Sequence, residues 1–349
     1  MGRSLMTTPD RDVPEPAGAL HDALDPFPLS LNENPFPPLP AVRAALNASV
    51  DTANRYPEFL PQQLRALIAT HIGVHAEQVV VGVGATGVIM QVLQAVTRPG
   101  ETLAMAYPTF DGYPIFAQMA RLASATVALD GHGRHDLDAL VRAAAGARVV
   151  VLCRPHNPTG TIEPASDIEE FLKRVPAGTV VLLDEAYVEF LPPEARLDAA
   201  ELVARYPNLV VVRTFSKAYG LAGLRIGYGF CAPQLARRLW SMQLPFGIAG
   251  TGLAAVTASY EAEAELQQRI QMIASETRYL RMRLAAMGVY STDAHANFVY
   301  LPQRDRPWPE VFDDTGLRLR HYADGGVRIT VGERRATRAV LAAVTAALR

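Results

Sequence analysis

The stretch VVVGVGATGVIMQVL, Val79–Leu93, decides the fold class. A run of β-branched apolar residues ends among Gly82, Gly84 and Gly87, and an apolar segment of helical character follows. The glycines have the spacing G-x-G-x-x-G at a strand-to-helix turn, which is the fingerprint of dinucleotide-binding proteins. Free N–H groups at the start of such a helix also bind anions in general, so the turn predicts a phosphate site without naming the ligand.

The composition excludes several classes of protein. The chain has 349 residues, 49% of them hydrophobic, and 33 basic against 35 acidic residues give a formal charge of −2, so we expect no nucleic-acid partner. No apolar run reaches the length of a membrane span, and the N-terminus lacks a signal peptide's apolar centre. Cys153 and Cys231 lie in apolar stretches without metal-ligand spacing. We expect a soluble, cytoplasmic protein with core thiols, no metal and a small-molecule partner.

Strands and helices alternate after the glycine turn. This alternation predicts an α/β fold with a mainly parallel central sheet and helices on both faces. The predicted strands are 79–83, 102–107, 124–129, 148–153, 179–183, 208–213 and 225–231.

The segments on either side of this pattern predict further units. Residues 1–28 read as a flexible arm, and two short helices are predicted at Pro40–Ser49 and Pro61–Thr70. Residues 29–250 form the predicted large domain. Residues 251–349 form a connecting long helix, from Gly250 to Met287, and a small α+β domain. That domain has strands in NFVYLP, LRLRH and VRITVG and a last helix in RATRAVLAAVTAAL.

Ligands of open parallel sheets bind at the carboxyl ends of the strands. The polar residues just past each predicted strand are therefore the candidates for a site. They are Gly84 to Thr86, Tyr107 to Phe110, Asn157, Asp184 to Tyr187, and Thr214 to Lys217.

Two of these positions indicate pyridoxal phosphate. Asp184 ends a buried strand, where a carboxylate is costly unless a cation meets it, although a turn cap is an equal reading of this residue alone. Lys217 follows the hydroxyls of Thr214 and Ser216 and precedes Arg225, which suits a phosphate. A lysine beside a phosphate and a buried carboxylate is the arrangement that an imine to pyridoxal phosphate requires, with the carboxylate on the pyridine nitrogen.

Five motifs carry a family resemblance: TFSKAYGLAGLRIGY, RPHNPTG, DEAYVEF, LNENP and RYPE. Together they closely resemble the pyridoxal-phosphate aminotransferases of fold type I, within the group that contains the histidinol-phosphate and aromatic aminotransferases. The resemblance spans roughly Leu29 to Gly332. It implies an amino donor, a 2-oxo acid acceptor and a homodimer with shared active sites, in which residues 29–60 contribute to the small lobe or the dimer interface.

The resemblance also implies a role for each residue. Lys217 would carry the cofactor and move the proton, Asp184 would pair the pyridine nitrogen, and Phe110 would stack on the ring. Asn157 and Tyr187 would donate to the phenolic oxygen of the ring. The phosphate would bind Gly84, Ala85, Thr86, Thr214, Ser216 and Arg225.

The resemblance further assigns residues from the partner subunit and for the substrate. Tyr56 would reach the phosphate of the neighbouring subunit. Arg328 would bind the substrate's carboxylate, or the corresponding acidic end of an unusual substrate, beside Asn157, and Arg320 would add a second positive charge.

The arm departs from the pattern of the histidinol-phosphate enzymes. Pro37 stands where those enzymes commonly have a glycine, and no tyrosine precedes Tyr56; the arm offers Phe27 and His21 instead. Histidinol phosphate, an aromatic amino acid and a specialised biosynthetic amino acid therefore stay open as the donor.

Three other functions compete with transamination. A dinucleotide-dependent oxidoreductase needs an acidic residue at the end of the next strand, but no carboxylate precedes Asp111 there. A transcription regulator needs more than 28 residues for an attached DNA-binding module. Decarboxylases, cyclases and oxidases share the fold, but Arg328 favours a substrate acid that stays intact, and thus ping-pong transfer of an amino group.

Overall fold

The computed structural model describes residues 27–304, 306–313 and 315–349. In these residues seven strands form one sheet and three form another. The large sheet contains β1 (Val79–Val83), β2 (Thr102–Tyr107), β3 (Ala123–Ala128), β4 (Val149–Cys153), β5 (Val180–Asp184), β6 (Leu209–Thr214) and β7 (Ile226–Cys231). The small sheet contains β8 (Phe298–Leu301), β9 (Arg320–His321) and β10 (Val327–Thr330).

The large sheet is mostly parallel, as predicted. Its strand order is β1-β7-β6-β5-β4-β2-β3, and the pairs from β6 to β3 are parallel. Strand β7 is antiparallel to both β6 and β1. Only a loop and a short 3-10 helix (Ala222–Leu224) separate β7 from β6, so the chain returns beside β6 in the opposite direction. Its pairing with β1 places Gly82 opposite Gly227.

The helices cover both faces of the sheet and the small domain. They are α1 (Pro40–Ser49), α2 (Gln62–Ile72), α3 (Gly84–Val96), α4 (Gly112–Met119), α5 (Leu137–Ala144), α6 (Ala165–Arg174), α7 (Ala199–Arg205), α8 (Pro233–Trp240), α9 (Gly250–Glu261), α10 (Glu263–Ala286), α11 (Trp308–Phe312) and α12 (Arg334–Ala347). Within the part of the chain that the structure describes, no helix combines the length and apolarity that crossing a membrane requires.

The expectation of one helix from Gly250 to Met287 is wrong. The helix breaks at Ala262, whose backbone (φ −100°, ψ 31°) leaves the helical region, so α9 and α10 are separate. The break lets α9 pack its buried Ala255 into the large domain. Helix α10 then continues from that core, at Leu266, to the core of the small domain, at Leu284.

Strand alternation divides the large core between the two faces of the sheet. Val79 and Val81 of β1 pack on one face, and Val80 packs on the other. Successive strand side chains point to opposite faces, so a buried β-branched run such as VVV serves both layers. Cys153 and Cys231 are free and buried, as the sequence predicts.

The first described residues join the small domain to the large one. Pro28 forms a β-bridge with Arg318, and the carbonyl of Leu29 accepts a hydrogen bond from the N–H of Thr330. The small sheet is antiparallel with β10 in the centre. The chain that follows Leu29 is therefore held beside β10, and its next residues reach the loops after β5 and β6, where Asn32 contacts Tyr187 and Leu31 contacts Lys217.

Candidate active site

The structure brings the predicted residues of the strand ends into one cleft. Asp184 ends β5, Asn157 follows β4, and Thr214 to Lys217 end β6 and begin its loop. The carboxyl ends of parallel neighbours meet at one edge of a sheet, which explains how residues far apart in sequence converge.

Asp184 is a buried carboxylate with two hydrogen-bond donors. The hydroxyl of Tyr113 donates to its Oδ2 at 2.5 Å, and the N–H of Ala186 donates to its Oδ1 at 3.0 Å. Burial raises the pKa of Asp184, and these two hydrogen bonds act in the opposite direction. Tyr113, which is fully buried, was not among the predicted site residues. It ends the motif YPTFDGY that also contains Phe110, and that motif was the available signal.

The amine of Lys217 lies between cationic and anionic neighbours. Its Nζ donates to the carbonyl of Leu31 at 2.8 Å. Burial, with help from the positive charges of Arg328 and Arg225, lowers its pKa from 10.5 to about 7, while Glu33 and Asp184 oppose that shift. This shift favours the neutral form of the amine, which is the form that attacks a carbonyl.

Arg328, Asn157 and Tyr187 form one hydrogen-bonded group. Nη1 of Arg328 donates to Oδ1 of Asn157 at 2.5 Å and to the hydroxyl of Tyr322 at 3.1 Å, and its Nη2 donates to the carbonyl of Ser30. Nδ2 of Asn157 donates to the hydroxyl of Tyr187 at 3.4 Å. Burial raises the pKa of Tyr187, so its phenol keeps its proton.

The predicted phosphate ligands also come together. Nη1 of Arg225 donates to Oγ of Ser216 at 3.3 Å, and its Nη2 donates to Oγ1 of Thr86 at 3.5 Å. A Cβ on Gly84 would lie 2.4 Å from Nη2 of Arg225, so only glycine leaves room for the guanidinium at the start of α3. The hydroxyl of Thr214 donates to Ser216 at 3.0 Å and thereby orients it.

A second glycine brings the N-terminus of α3 against the sheet. A Cβ on Gly227 would lie 2.3 Å from the backbone nitrogen of Ala85. The N–H groups that begin α3 are therefore next to β7 and to Arg225, where helix dipole and guanidinium both favour an anion.

Two predicted site residues, Arg320 and Tyr56, have partners that the prediction did not give them. Arg320 donates through Nε (3.1 Å) and Nη2 (2.7 Å) to one carboxylate oxygen of Asp111, which directly follows Phe110. Tyr56 is 84% exposed and its ring contacts Phe246, with 4.9 Å between the centroids.

Of the two arm residues that depart from the histidinol-phosphate pattern, Phe27 and His21, the structure describes one. Phe27 packs with the small domain, where the guanidinium of Arg335 lies over its ring at 5.9 Å. His21 lies outside the described residues.

Comparison with known proteins identifies the family. Residues 25–344 match the family model described as aminotransferase class I and II. The chain belongs to this family. It is 39% identical over 307 residues to an aromatic amino acid aminotransferase of Cutibacterium acnes, a match that covers 87% of each protein. It is 38% identical over 310 residues to one of Streptomyces coelicolor, covering 88% of this chain and 86% of that protein.

Solved structures of histidinol-phosphate aminotransferases share the fold. The structure of the Sinorhizobium meliloti enzyme with pyridoxal phosphate superimposes with a TM-score of 0.85 at 26% identity, covering 92% of this chain and 90% of that one. The enzyme is thus a pyridoxal-phosphate-dependent aminotransferase of fold type I, and its substrates are an amino acid and a 2-oxo acid.

The residues of the cleft fit pyridoxal phosphate. Arg225, Ser216, Thr86 and the start of α3 offer donors to a phosphate, in a cradle that a Cβ on Gly84 would fill. At the same edge of the sheet the chain supplies a buried carboxylate, a partly neutral lysine amine and a phenol. These are the groups that a pyridine nitrogen, an aldehyde and a phenolic oxygen require.

Replacing Gly84 with alanine tests the phosphate cradle. The new Cβ would displace Arg225, so we expect the dissociation constant of pyridoxal phosphate to rise by about tenfold or more, as for loss of one charge-assisted hydrogen bond. Gly73→Ala is the matched control, since Gly73 has a similar φ (+74° against +71°) and no atom within 4 Å of the point that a Cβ would occupy. Gly73→Ala should lower the stability of the fold but leave the affinity for pyridoxal phosphate unchanged. Equal cofactor affinity in both variants would contradict the cradle.

Replacing Tyr113 with phenylalanine tests the hydrogen bond to Asp184. Loss of the donor should raise the pKa of Asp184 further in the folded protein, which lowers the free energy of unfolding at neutral pH by about 1–3 kcal/mol. Folding then favours the protonated acid, so the difference from wild type should shrink as the pH falls towards about 4. Urea denaturation of the cofactor-free protein at both pH values measures it. A difference that does not change with pH would contradict a charge effect.

Proposed function

We propose that the enzyme transfers the amino group of an aromatic amino acid to a 2-oxo acid by a ping-pong mechanism. Two supports come from different sources. The relatives from Cutibacterium acnes and Streptomyces coelicolor bear the name aromatic amino acid aminotransferase. In addition, the carboxylate of Asp111 compensates Arg320, and a donor with a doubly charged phosphate would need Arg320 free beside Arg328.

The compensated cation is the observation that carries the choice of donor. Arg320 and Arg328 are directly opposite each other on β9 and β10, so their side chains share a face of the small sheet. The carboxylate of Asp111 binds Arg320 through two of its nitrogens, whereas the partners of Arg328 within the described residues are all neutral groups. Among the described residues, one guanidinium of this pair therefore stays uncompensated, which suits the single negative charge of a carboxylate better than the double charge of a phosphate.

The side chains of the cleft divide the work of transfer. Pyridoxal phosphate, when bound, supplies an electron sink for breaking the bond between Cα and hydrogen. Lys217, with its amine partly neutral, accepts and returns the proton at Cα. Asp184 holds the positive charge of the pyridine nitrogen, and Arg328 orients the substrate through its carboxylate.

A donor screen tests the substrate class. Phenylalanine, tyrosine, histidinol phosphate and glutamate are added one at a time to the loaded enzyme, and loss of its visible absorbance is followed. We expect phenylalanine and tyrosine to react faster than histidinol phosphate by about tenfold or more, the cost of an unmatched charge. Faster reaction with histidinol phosphate would contradict the aromatic assignment.

Two variants sharpen the screen. Asp111→Asn frees Arg320 and should increase the rate with histidinol phosphate relative to phenylalanine. Lys217→Ala should lose turnover with every donor, and full turnover in that variant would contradict the catalytic role of this lysine.

We further propose that the enzyme is a homodimer in which Tyr56 reaches the phosphate of the partner subunit. Tyr56, Phe59 and Phe246 form a cluster of aromatic rings that is 84%, 60% and 44% exposed, respectively. A contiguous exposed apolar patch of this kind is typical of a surface that another protein covers.

Hybrid dimers test the cross-subunit role. Tyr56→Ala and Lys217→Ala homodimers should each have low activity. After subunit exchange, a hybrid contains one site with both native residues, so up to about a quarter of wild-type activity should return in an equal mixture, since half the dimers are hybrids and each has one intact site. Mass spectrometry confirms exchange. Exchange without recovered activity would show that Tyr56 does not act on the partner's site, so that it acts within its own chain or has no role in catalysis.

A further inference from the structure

The hydroxyl of Tyr187 has two amide neighbours, which come from different parts of the chain. Nδ2 of Asn32 lies 2.9 Å from it, and Nδ2 of Asn157 lies 3.4 Å from it. A tyrosine hydroxyl carries one proton and can also accept hydrogen bonds. Whether it accepts or donates therefore depends on which way each amide faces.

Thr330 fixes the orientation of Asn32. The backbone N–H of Asn32 donates to Oγ1 of Thr330 at 2.9 Å, so the threonine's own proton is free to donate to Oδ1 of Asn32, 3.1 Å away. The NH₂ group of Asn32 must then face Tyr187, where it can only donate. Asn32 is 1% exposed and has φ +54°, a left-handed conformation that asparagine adopts more readily than most residues.

Arg328 fixes the orientation of Asn157 in the same way. A guanidinium has no acceptor, so the atom of Asn157 that faces it at 2.5 Å is the carbonyl oxygen. The NH₂ group of Asn157 therefore points to Tyr187. Arg328 and Thr330 are two positions apart on β10, which places both on one face of the strand. One strand thus orients both amides.

We propose that Asn32 and Thr330 are positioning residues that make the Tyr187 hydroxyl a hydrogen-bond donor to the cofactor. Both amides donate to the hydroxyl, so its single proton is directed away from them. This inference rests on the proposed position of the cofactor, in which the phenolic oxygen of the pyridine ring accepts that proton. It does not depend on which amino acid is the donor.

The proposed hydrogen bond has a spectroscopic consequence. A donor to the phenolic oxygen stabilises its anion and so makes the nitrogen that joins Lys217 to the cofactor easier to deprotonate. The pH midpoint of the visible absorbance change of the loaded enzyme reports this protonation. Loss of the hydrogen bond should move the midpoint upward.

Asn32→Asp is the decisive variant because it keeps the shape of the side chain and reverses its role. The hydroxyl of Thr330 can still donate to one carboxylate oxygen, but the other oxygen now faces Tyr187 and takes its proton. We expect the midpoint to rise by about one pH unit, a tenfold change in proton binding, in the direction that Tyr187→Phe also produces.

The double variant Asn32→Asp/Tyr187→Phe separates this effect from that of the added negative charge. If Asn32 acts through the hydroxyl, the double variant has the midpoint of Tyr187→Phe alone. An equal further rise in the double variant would show that the charge acts directly on Lys217 or Arg328 and would overturn the inference. An unchanged midpoint in Tyr187→Phe would overturn both the inference and the proposed cofactor position, whereas the donor screen fails or succeeds independently.

Thr330 provides a second variant pair without any change of charge. Thr330→Val keeps the shape but removes the hydroxyl, so Asn32 is free to turn over, and the midpoint should rise by part of the Asn32→Asp shift. Thr330→Ser keeps the hydroxyl and should leave the midpoint at the wild-type value. Equal midpoints in the two folded, loaded variants would contradict the role of Thr330.

Discussion

Burial of a carboxylate at the end of β5 is the constraint on which the site depends. Asp184 is 4% exposed, and a charge in such a position needs partners on every side. Tyr113 and the N–H of Ala186 hold its two oxygens, and the amine of Lys217 adds a positive charge to its surroundings. Desolvation of Lys217 itself lowers the pKa of its amine. Burial therefore shifts the pKa values of an acid and a base in opposite directions, and the hydrogen bonds and positive charge around Asp184 oppose the loss of its negative charge.

The sequence predicted the fold, and it named the residues that the structure brings together around Arg225 and the start of α3, because short-range patterns encode both. Apolar runs separated by helical segments predict a parallel sheet, and the polar residues after each run then converge by topology alone. The prediction of one long helix failed at Ala262, since alanine carries no signal for a break. That break follows from packing against two different cores, which is tertiary information.

Three of the residues missed from the site share a reason. Tyr113, Asn32 and Tyr322 act on other side chains, through a hydrogen bond whose partner lies 71, 155 and 6 positions away, respectively. Asn32 lies within LNENP, and Tyr113 is three positions after Phe110, but neither position gives the direction of a hydrogen bond. Arg320 was predicted as a free positive charge, but its compensating carboxylate on Asp111 is 209 positions away, so the sequence did not reveal the ion pair.

The pairing of β1 with β7 sets the alignment of Gly84 with Arg225, two residues of the proposed phosphate site. Val83 is opposite Ile226, so the next residue on one strand, Gly84, and the preceding one on the other, Arg225, meet just beyond the paired segment. A slip of one residue would carry the helix start about 3.3 Å along the sheet and turn alternate side chains to the wrong face. Insertions in either strand should thus be far less tolerated than equal insertions in the loops, because they break the alignment between two parts of the proposed phosphate site.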